Sequence, residues 1–303
     1  MSDFVKQNSC ISNFDTSNSW VILSPIEQSI KSKIEKIGTP LKDWDINIYR
    51  GVLTGFNDAF IISGEKRDEI LANCKNEIER KKTAELIRPI LRGRDIKRYS
   101  YEYADLYLIA TFPSKHYDIE EYPAVKEYLL TFGMERLEQT GKEYKKNGEK
   151  IKARKKTNNK WFETQDSISY WDDFNKPKIV WARLMRLSKS DLNAFPRFCS
   201  VPEGFYIVDS LCFFSGSDIE MLVQELNSEF ASYCFFNSVA TLDNGGFQMR
   251  QQYVEEIPLP RLKTIKGSVD EEIYKAFNFT EEEIQFIKIS ISNKKKEIES
   301  LIK

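Results

Sequence analysis

With 303 residues, 41% of them hydrophobic and 30% charged, the chain has the composition of a folded globular protein, large enough for one big domain or two smaller ones. Its 45 basic and 46 acidic residues leave a net charge of −1, so bulk charge points to no polyanionic ligand. Five scattered cysteines without a C-x-x-C pair, and a single histidine (His116), exclude a structural zinc site and read as buried, reduced thiols.

Residues 1–19, rich in Ser, Asn and Asp, read as a loose arm, and Trp20–Leu23 as a short strand or anchor. The polar start MSDFVKQNSC is no signal peptide, and no apolar run approaches the roughly 20 residues that span a bilayer. An intracellular, cytoplasmic protein is expected, with no membrane partner. Ser24-Pro25-Ile26-Glu27 forms a capping box with proline in the first turn. It opens a helix with Ile26, Ile30 and Ile34 at four-residue spacing, which Gly38 and Pro40 stop. Ile46 and Ile48 alternate as in a strand, Gly51 and Gly55 mark a tight reversal, and Ala59–Ile62 resumes the strand.

Asp68–Leu91 has helical character, Tyr107–Thr111 reads as a buried strand, and Pro123–Leu137 as another helix. Lys142–Lys160 follows as a loop or frayed helix. Lys178–Met185, Phe205–Asp209 and Leu211–Ser215 read as strands. Ser217 and Glu220 then open a helix with Ile219, Leu222, Val223, Leu226, Phe230 and Cys234 on one side. Asn244–Gln252 is a glycine-started loop, and Ile257–Leu262 is held extended by its prolines. Thr280 and Glu283 cap a last helix whose seam is Ile284, Ile287, Ile291, Lys294, Ile298 and Leu301. It packs on its own domain or docks to a partner helix. Irregularly mixed helices and strands predict an α+β, or mixed α/β, fold rather than a doubly wound sheet. The expected division is an arm (1–19), a main domain (20–265) and a C-terminal helical segment (266–303).

Charge is unevenly spread. Residues 142–160 hold nine Lys or Arg against Glu143 and Glu149, so the rest of the chain is net negative. RPILRGRDIKRY (88–99) places five cations in twelve positions, opposed only by Asp95. Such asymmetry fits a single anion-facing surface. Catalytic patterns are missing: there is no G-x-G, no Asn-Pro or Asp-Pro amine-holding loop and no phosphate-binding G-x-x-x-x-G-K-[ST]. A Ser-His-Asp triad would rest on His116 alone. Glu120-Glu121, Glu255-Glu256 and Glu281–Glu283 read as solvated faces. A short carboxylate–lysine nuclease motif stays open, but the chain reads as a non-enzyme, with no catalytic or metal-binding residue assigned.

Eight segments in order resemble a known family. GVLTGFNDAFII (51–62), RPILRGRDIKRY (88–99), YLIAT (107–111), YPAVKEYLL (122–130), KWFE (160–163), KPKIVWARL (176–184), ELNSEFASYCF (225–235) and GGFQMRQQYVEEIPLPRL (245–262) stand as in the TaqI-like C-terminal specificity domain. That domain belongs to adenine-specific DNA methyltransferases and type IIG restriction–modification enzymes. The likeness spans about residues 20–290. It implies that this chain recognises double-stranded DNA as the target recognition domain, and that catalysis lies elsewhere. The catalytic part, a preceding region of a longer polypeptide or a separate subunit, would carry S-adenosylmethionine and, for cleavage, Mg; no cofactor is expected in this chain.

Under that reading, Lys152, Arg154, Lys155 and Lys156 are expected to contact phosphates. Arg92, Arg94, Lys97 and Arg98 either clamp phosphates or form structural ion pairs. Base readout falls to side chains able to form paired hydrogen bonds: Arg183 and Arg186 at a strand end, and Gln248, Arg250 and Gln251 in the glycine-started loop. Two other classes remain: a metal-dependent nuclease, and a protein-docking scaffold using the last helix and aromatic surface.

Overall fold

The computed structural model describes residues 23–146, 148–216 and 218–302. The expected arm, Trp20 to Ile22 and Ser217 lie outside the described residues. Ser24 opens α1 (Pro25–Ile37) with both halves of its capping box: its hydroxyl accepts from Glu27 N, and the Glu27 carboxylate accepts from Ser24 N at 2.7 Å. The next elements are β1 (Thr39–Pro40), β2 (Ile46–Arg50), a helical turn α2 (Asn57–Phe60) and β3 (Ile61–Ser63). The strand expected over Ala59–Ile62 is thus half helical. Thr54 Oγ1 accepts from Phe56 N and donates to the Asn57 side chain, which winds the turn.

The helical stretch read over Asp68–Leu91 divides into α3 (Gly64–Ala72), α4 (Glu77–Leu86) and the strand β4 (Ile87–Leu91). Asn76 caps α4 through its side chain, 2.9 Å from Glu79 N. β5 (Leu106–Ile109) matches the expected strand. The helix expected over Pro123–Leu137 breaks at Gly133, φ +84°, into α5 (Pro123–Leu130) and α6 (Met134–Leu137). The basic stretch read as a loop or frayed helix begins as a hairpin, β6 (Glu143–Lys146) and β7 (Glu149–Lys152), turning at Gly148.

β8 (Lys178–Ala182) is buried at every position. β9 (Phe198–Val201), too short to signal itself by periodicity, precedes β10 (Tyr206–Ile207) and β11 (Leu211–Gly216). The long helix expected after Ser217 is two: α7 (Ile219–Leu226) and α8 (Glu229–Ser238), so Phe230 and Cys234 belong to the second. The break serves the sheet, because the Asn227 amide donates to Phe198 O (2.8 Å) and accepts from Phe198 N (3.0 Å). The remaining elements are α9 (Gln251–Val254), β12 (Pro258–Leu259), α10 (Val269–Ala276) and α11 (Glu281–Leu301).

Two four-stranded sheets organise this α+β fold, in the orders β10-β4-β5-β3 and β2-β11-β8-β9. The second is antiparallel throughout. They meet where β10 turns through Asp209-Ser210 into β11, and Gly51 makes that corner possible. Its N–H donates to Leu211 O, and a Cβ there would lie 2.1 Å from Val208 O. Gly51 is therefore a point of close backbone approach rather than part of the expected reversal. Apolar side chains from both sheets and the helices form one continuous core. α11 joins it through Ile287, Ile291 and Ile298, lying along α8 and α1, so its seam packs on this chain. No helix of the described residues is long and apolar enough to cross a membrane.

Candidate nucleic-acid interface

Beyond Ala182 the chain of β8 continues as an irregular strand. Met185 and Phe247 exchange both backbone hydrogen bonds, at 3.0 and 2.8 Å. On its other side Phe247 bridges to Thr241, with Leu242 N donating to Gly246 O and Gln248 N to Ala240 O. The result is a three-stranded ribbon of residues 183–187, 246–249 and 240–242. Its inner face carries Met185, Leu187, Phe247 and Met249, all buried. Phe247 packs against Phe195 at 4.5 Å, and Trp181 Nε1 donates to Met249 O at 2.8 Å.

Alternation then turns Leu184, Arg186 and Gln248 outward, and exposed Arg250 follows where the ribbon ends, as the N-cap of α9. Among the described residues the side chains of Arg186, Gln248 and Arg250 have no hydrogen-bond or ion-pair partner. The Arg186 stem passes over Gly246, where a Cβ would sit 3.6 Å from its Cγ. The turn that returns the ribbon needs Gly245 at φ +75°, and this glycine lies against Ile298 and Ile302 at the end of α11. The last helix thereby buttresses the ribbon.

Arg183 is half-buried at the root of the ribbon: its N–H donates to Ser210 O and its guanidinium to Asp209 O, 3.2 Å away. Gln251 is exposed on the first turn of α9, 3.3 Å from Glu255. Of the five residues read as base-reading candidates, the ribbon carries Arg186 and Gln248 on one outward strip, with Arg250 at its end. It places Arg183 beside them and leaves Gln251 on the adjoining helix. Leu184, 39% exposed on the same strip, was not among the candidates, because the sequence reading sought only side chains able to form paired hydrogen bonds. Its position between two arginines was the available signal.

The arginine-rich segment divides between structure and surface. Arg92 grips the buried Asp95 with Nε and Nη2, at 3.1 and 2.9 Å. Arg98 donates to Asn193 O (2.8 Å) and to Asn227 O. Lys97 stands 3.4 Å from Glu102. Arg94 is exposed with no partner among the described residues, on a single 3-10 turn (Gly93–Asp95). A Cβ on Gly93 would lie 3.7 Å from Ser210 Oγ, so this turn adjoins the root of the ribbon.

Arg154 departs from its expected role. It is 4% exposed and donates to four backbone carbonyls: Leu137 (2.8 Å), Thr54 (3.0 Å), Glu163 (2.7 Å) and Trp161 (2.5 Å). Burial lowers its pKa to about 10. With its donors committed, it roots the basic hairpin and is removed from the phosphate-contact set. Lys152, Lys155 and Lys156 remain exposed, without acidic partners among the described residues.

Comparison with solved structures finds a likeness of fold to part of one restriction enzyme. The chain is similar to part of the type IIG restriction endonuclease BpuSI, with a TM-score of 0.51 and 12% identity over 91% of this chain and 32% of that one. A second likeness, to the type IIL restriction–modification enzyme MmeI in complex with DNA, has a TM-score of 0.44 and 10% identity over 87% of this chain and 33% of that one. The chain thus spans about a third of the length of each. No protein-family model and no curated protein matches the sequence.

Proposed function

We propose that this chain reads a short sequence of double-stranded DNA as the target recognition part of a restriction–modification system of the TaqI-like kind. The observation that carries the proposal is the ribbon strip. Arg186, Gln248 and Arg250 face solvent with uncommitted donors and acceptors on a scaffold anchored by Phe247 and Trp181. A two-stranded unit such as the paired 183–187 and 246–249 segments can enter the major groove, where guanidinium groups pair with guanine and amides with adenine. The exposed lysines of the hairpin region and Arg94 supply phosphate contacts that hold register without reading sequence. The fold likeness to part of BpuSI supports the same reading. Adenine methylation from S-adenosylmethionine, and any Mg-dependent cleavage, belong to the catalytic domain or subunit that would work with this chain. No chemical step is assigned here.

A nuclease would need clustered carboxylates. Among the described residues no group of three or more His, Cys, Asp and Glu side chains is placed to hold a metal ion. The test is fluorescence anisotropy with a mixed-sequence duplex across a salt series, with and without Mg. Binding that weakens as salt rises, with a log–log slope of about −3.6 for four neutralised phosphates, is expected. Salt-insensitive or absent duplex binding contradicts the proposal. Cleavage by the chain alone would favour the nuclease.

A further inference from the structure

Leu184 is out of place by the ordinary logic of burial. Its neighbours Met185 and Leu187 are buried, yet it projects from the most cationic part of the ribbon between Arg183 and Arg186. The Met185–Phe247 pair sets the register and puts Leu184 opposite Gln248 on the outward face. Directly opposed side chains on one face of an antiparallel pair stand about 5 Å apart. The strip therefore presents one apolar group and one amide side by side, flanked by uncommitted guanidinium groups.

We propose that the Leu184–Gln248 pair reads a single A·T base pair, an inference that rests on the duplex-recognition reading above. The amide pairs with N6 and N7 of the adenine, and the leucine covers the C5-methyl of its thymine. That methyl is the apolar group that base edges offer in the major groove. A protein-docking role fits less well. Leu184 is the one large apolar residue among the described residues that the ribbon strands expose, while Ile78, Leu130 and Ile289 lie on helices, and its flanks are cationic rather than apolar. An intercalating wedge, which kinks the duplex from the minor groove, makes a different prediction: it is indifferent to the thymine methyl, which lies in the major groove.

The experiment uses the full chain and a duplex selected from a random pool. Each thymine is replaced in turn by deoxyuridine, which removes the methyl alone. At one position this weakens wild-type binding about fourfold, the worth of one buried methyl-sized group. Leu184→Ala binds the thymine duplex about as weakly and is indifferent to deoxyuridine at that position. It keeps the wild-type salt slope, which also shows that it is folded. Replacing the paired adenine by 7-deazaadenine weakens the wild type and leaves Gln248→Ala unaffected. Sequence preference with deoxyuridine silent everywhere overturns this inference alone, as does a Leu184→Ala protein that still loses affinity at that position. Absence of any sequence-preferring binding overturns the recognition reading as well.

Discussion

Arg154 stands in the most basic part of the chain yet turns inward, while Lys152, Lys155 and Lys156 stay in water. The difference follows from chemistry. A guanidinium is a planar fork of five donors that can satisfy several carbonyls at once, whereas an ammonium is compact and strongly hydrated. Composition alone gives both residues the same charge, so the sequence could not separate the structural cation from the surface ones. Arg154→Met is expected to destabilise the fold by about 3 kcal/mol, because the carbonyls of Leu137 and Thr54 lose a buried donor, that of Trp161 a part-buried one, and that of Glu163 keeps only Gln139. Thermal melting checks this, and a change below about 1 kcal/mol would contradict the role. The same logic divides Arg92 and Arg98, which are engaged in structure, from the exposed Arg94.

Glu225, 1% exposed, accepts from Leu262 N at 3.0 Å, and its Oε2 has no partner among the described residues. Burial raises its pKa from 4.5 to about 7, against the pull of the Leu262 and Arg261 N–H groups. Between those two values the folded chain holds a proton that the unfolded chain releases. This contribution is therefore most favourable below about pH 4.5 and is lost as pH rises through about 7, on the order of 3 kcal/mol in all. Denaturant titrations from pH 4.5 to 8 are expected to show this slope in the wild type and not in Glu225→Gln. Parallel curves would contradict it.

At the scale of elements, two of the three capping boxes were legible, since they are local; the one read at Ser217 and Glu220 has Ser217 outside the described residues, and α7 has Asp218 at its N-cap with no side-chain hydrogen bond. Ser24 with Glu27 and Thr280 with Glu283 start α1 and α11 as read. Breaks within apolar runs were less legible. The Asn227 side chain serves β9, a distant strand, which the sequence does not show; the local signal was Ser228, whose hydroxyl accepts from Ala231 N and starts α8. The hairpin β6–β7 was hidden by lysines that give no strand-like alternation, although Gly148 marks its turn. The candidate site was half legible. Arginine and glutamine types identified Arg186, Gln248 and Arg250, but their union depends on the Met185–Phe247 pairing across some 60 residues of chain. The ribbon's turn gives an element-scale prediction. Gly245→Ala forces a Cβ into a left-handed conformation and toward Ile298, costing roughly 1–2 kcal/mol locally. It is expected to weaken duplex binding while leaving the far hairpin intact. Unchanged affinity would show that α11 does not set the ribbon's position.

For the whole molecule, near-neutral net charge coexists with a concentration of cations in a few places. That arrangement leaves phosphate attraction local, so its contributions are separable. Replacing Lys152, Lys155 and Lys156 together by alanine is expected to reduce the magnitude of the salt slope by up to about 2.7, with stability unchanged and sequence preference retained. A slope equal to that of the wild type would remove these lysines from the interface. Arg186 makes the opposite prediction, because a base-reading side chain changes which sequence is preferred.

The central claim is that the outward strip of the ribbon reads bases in duplex DNA. Selection of bound sites from a random duplex pool, run in parallel with wild type and Arg186→Ala, tests it most directly. The wild type is expected to enrich one short motif, and the variant the same motif with a single G·C position relaxed. No enriched motif, or an identical one from both proteins, would contradict the account.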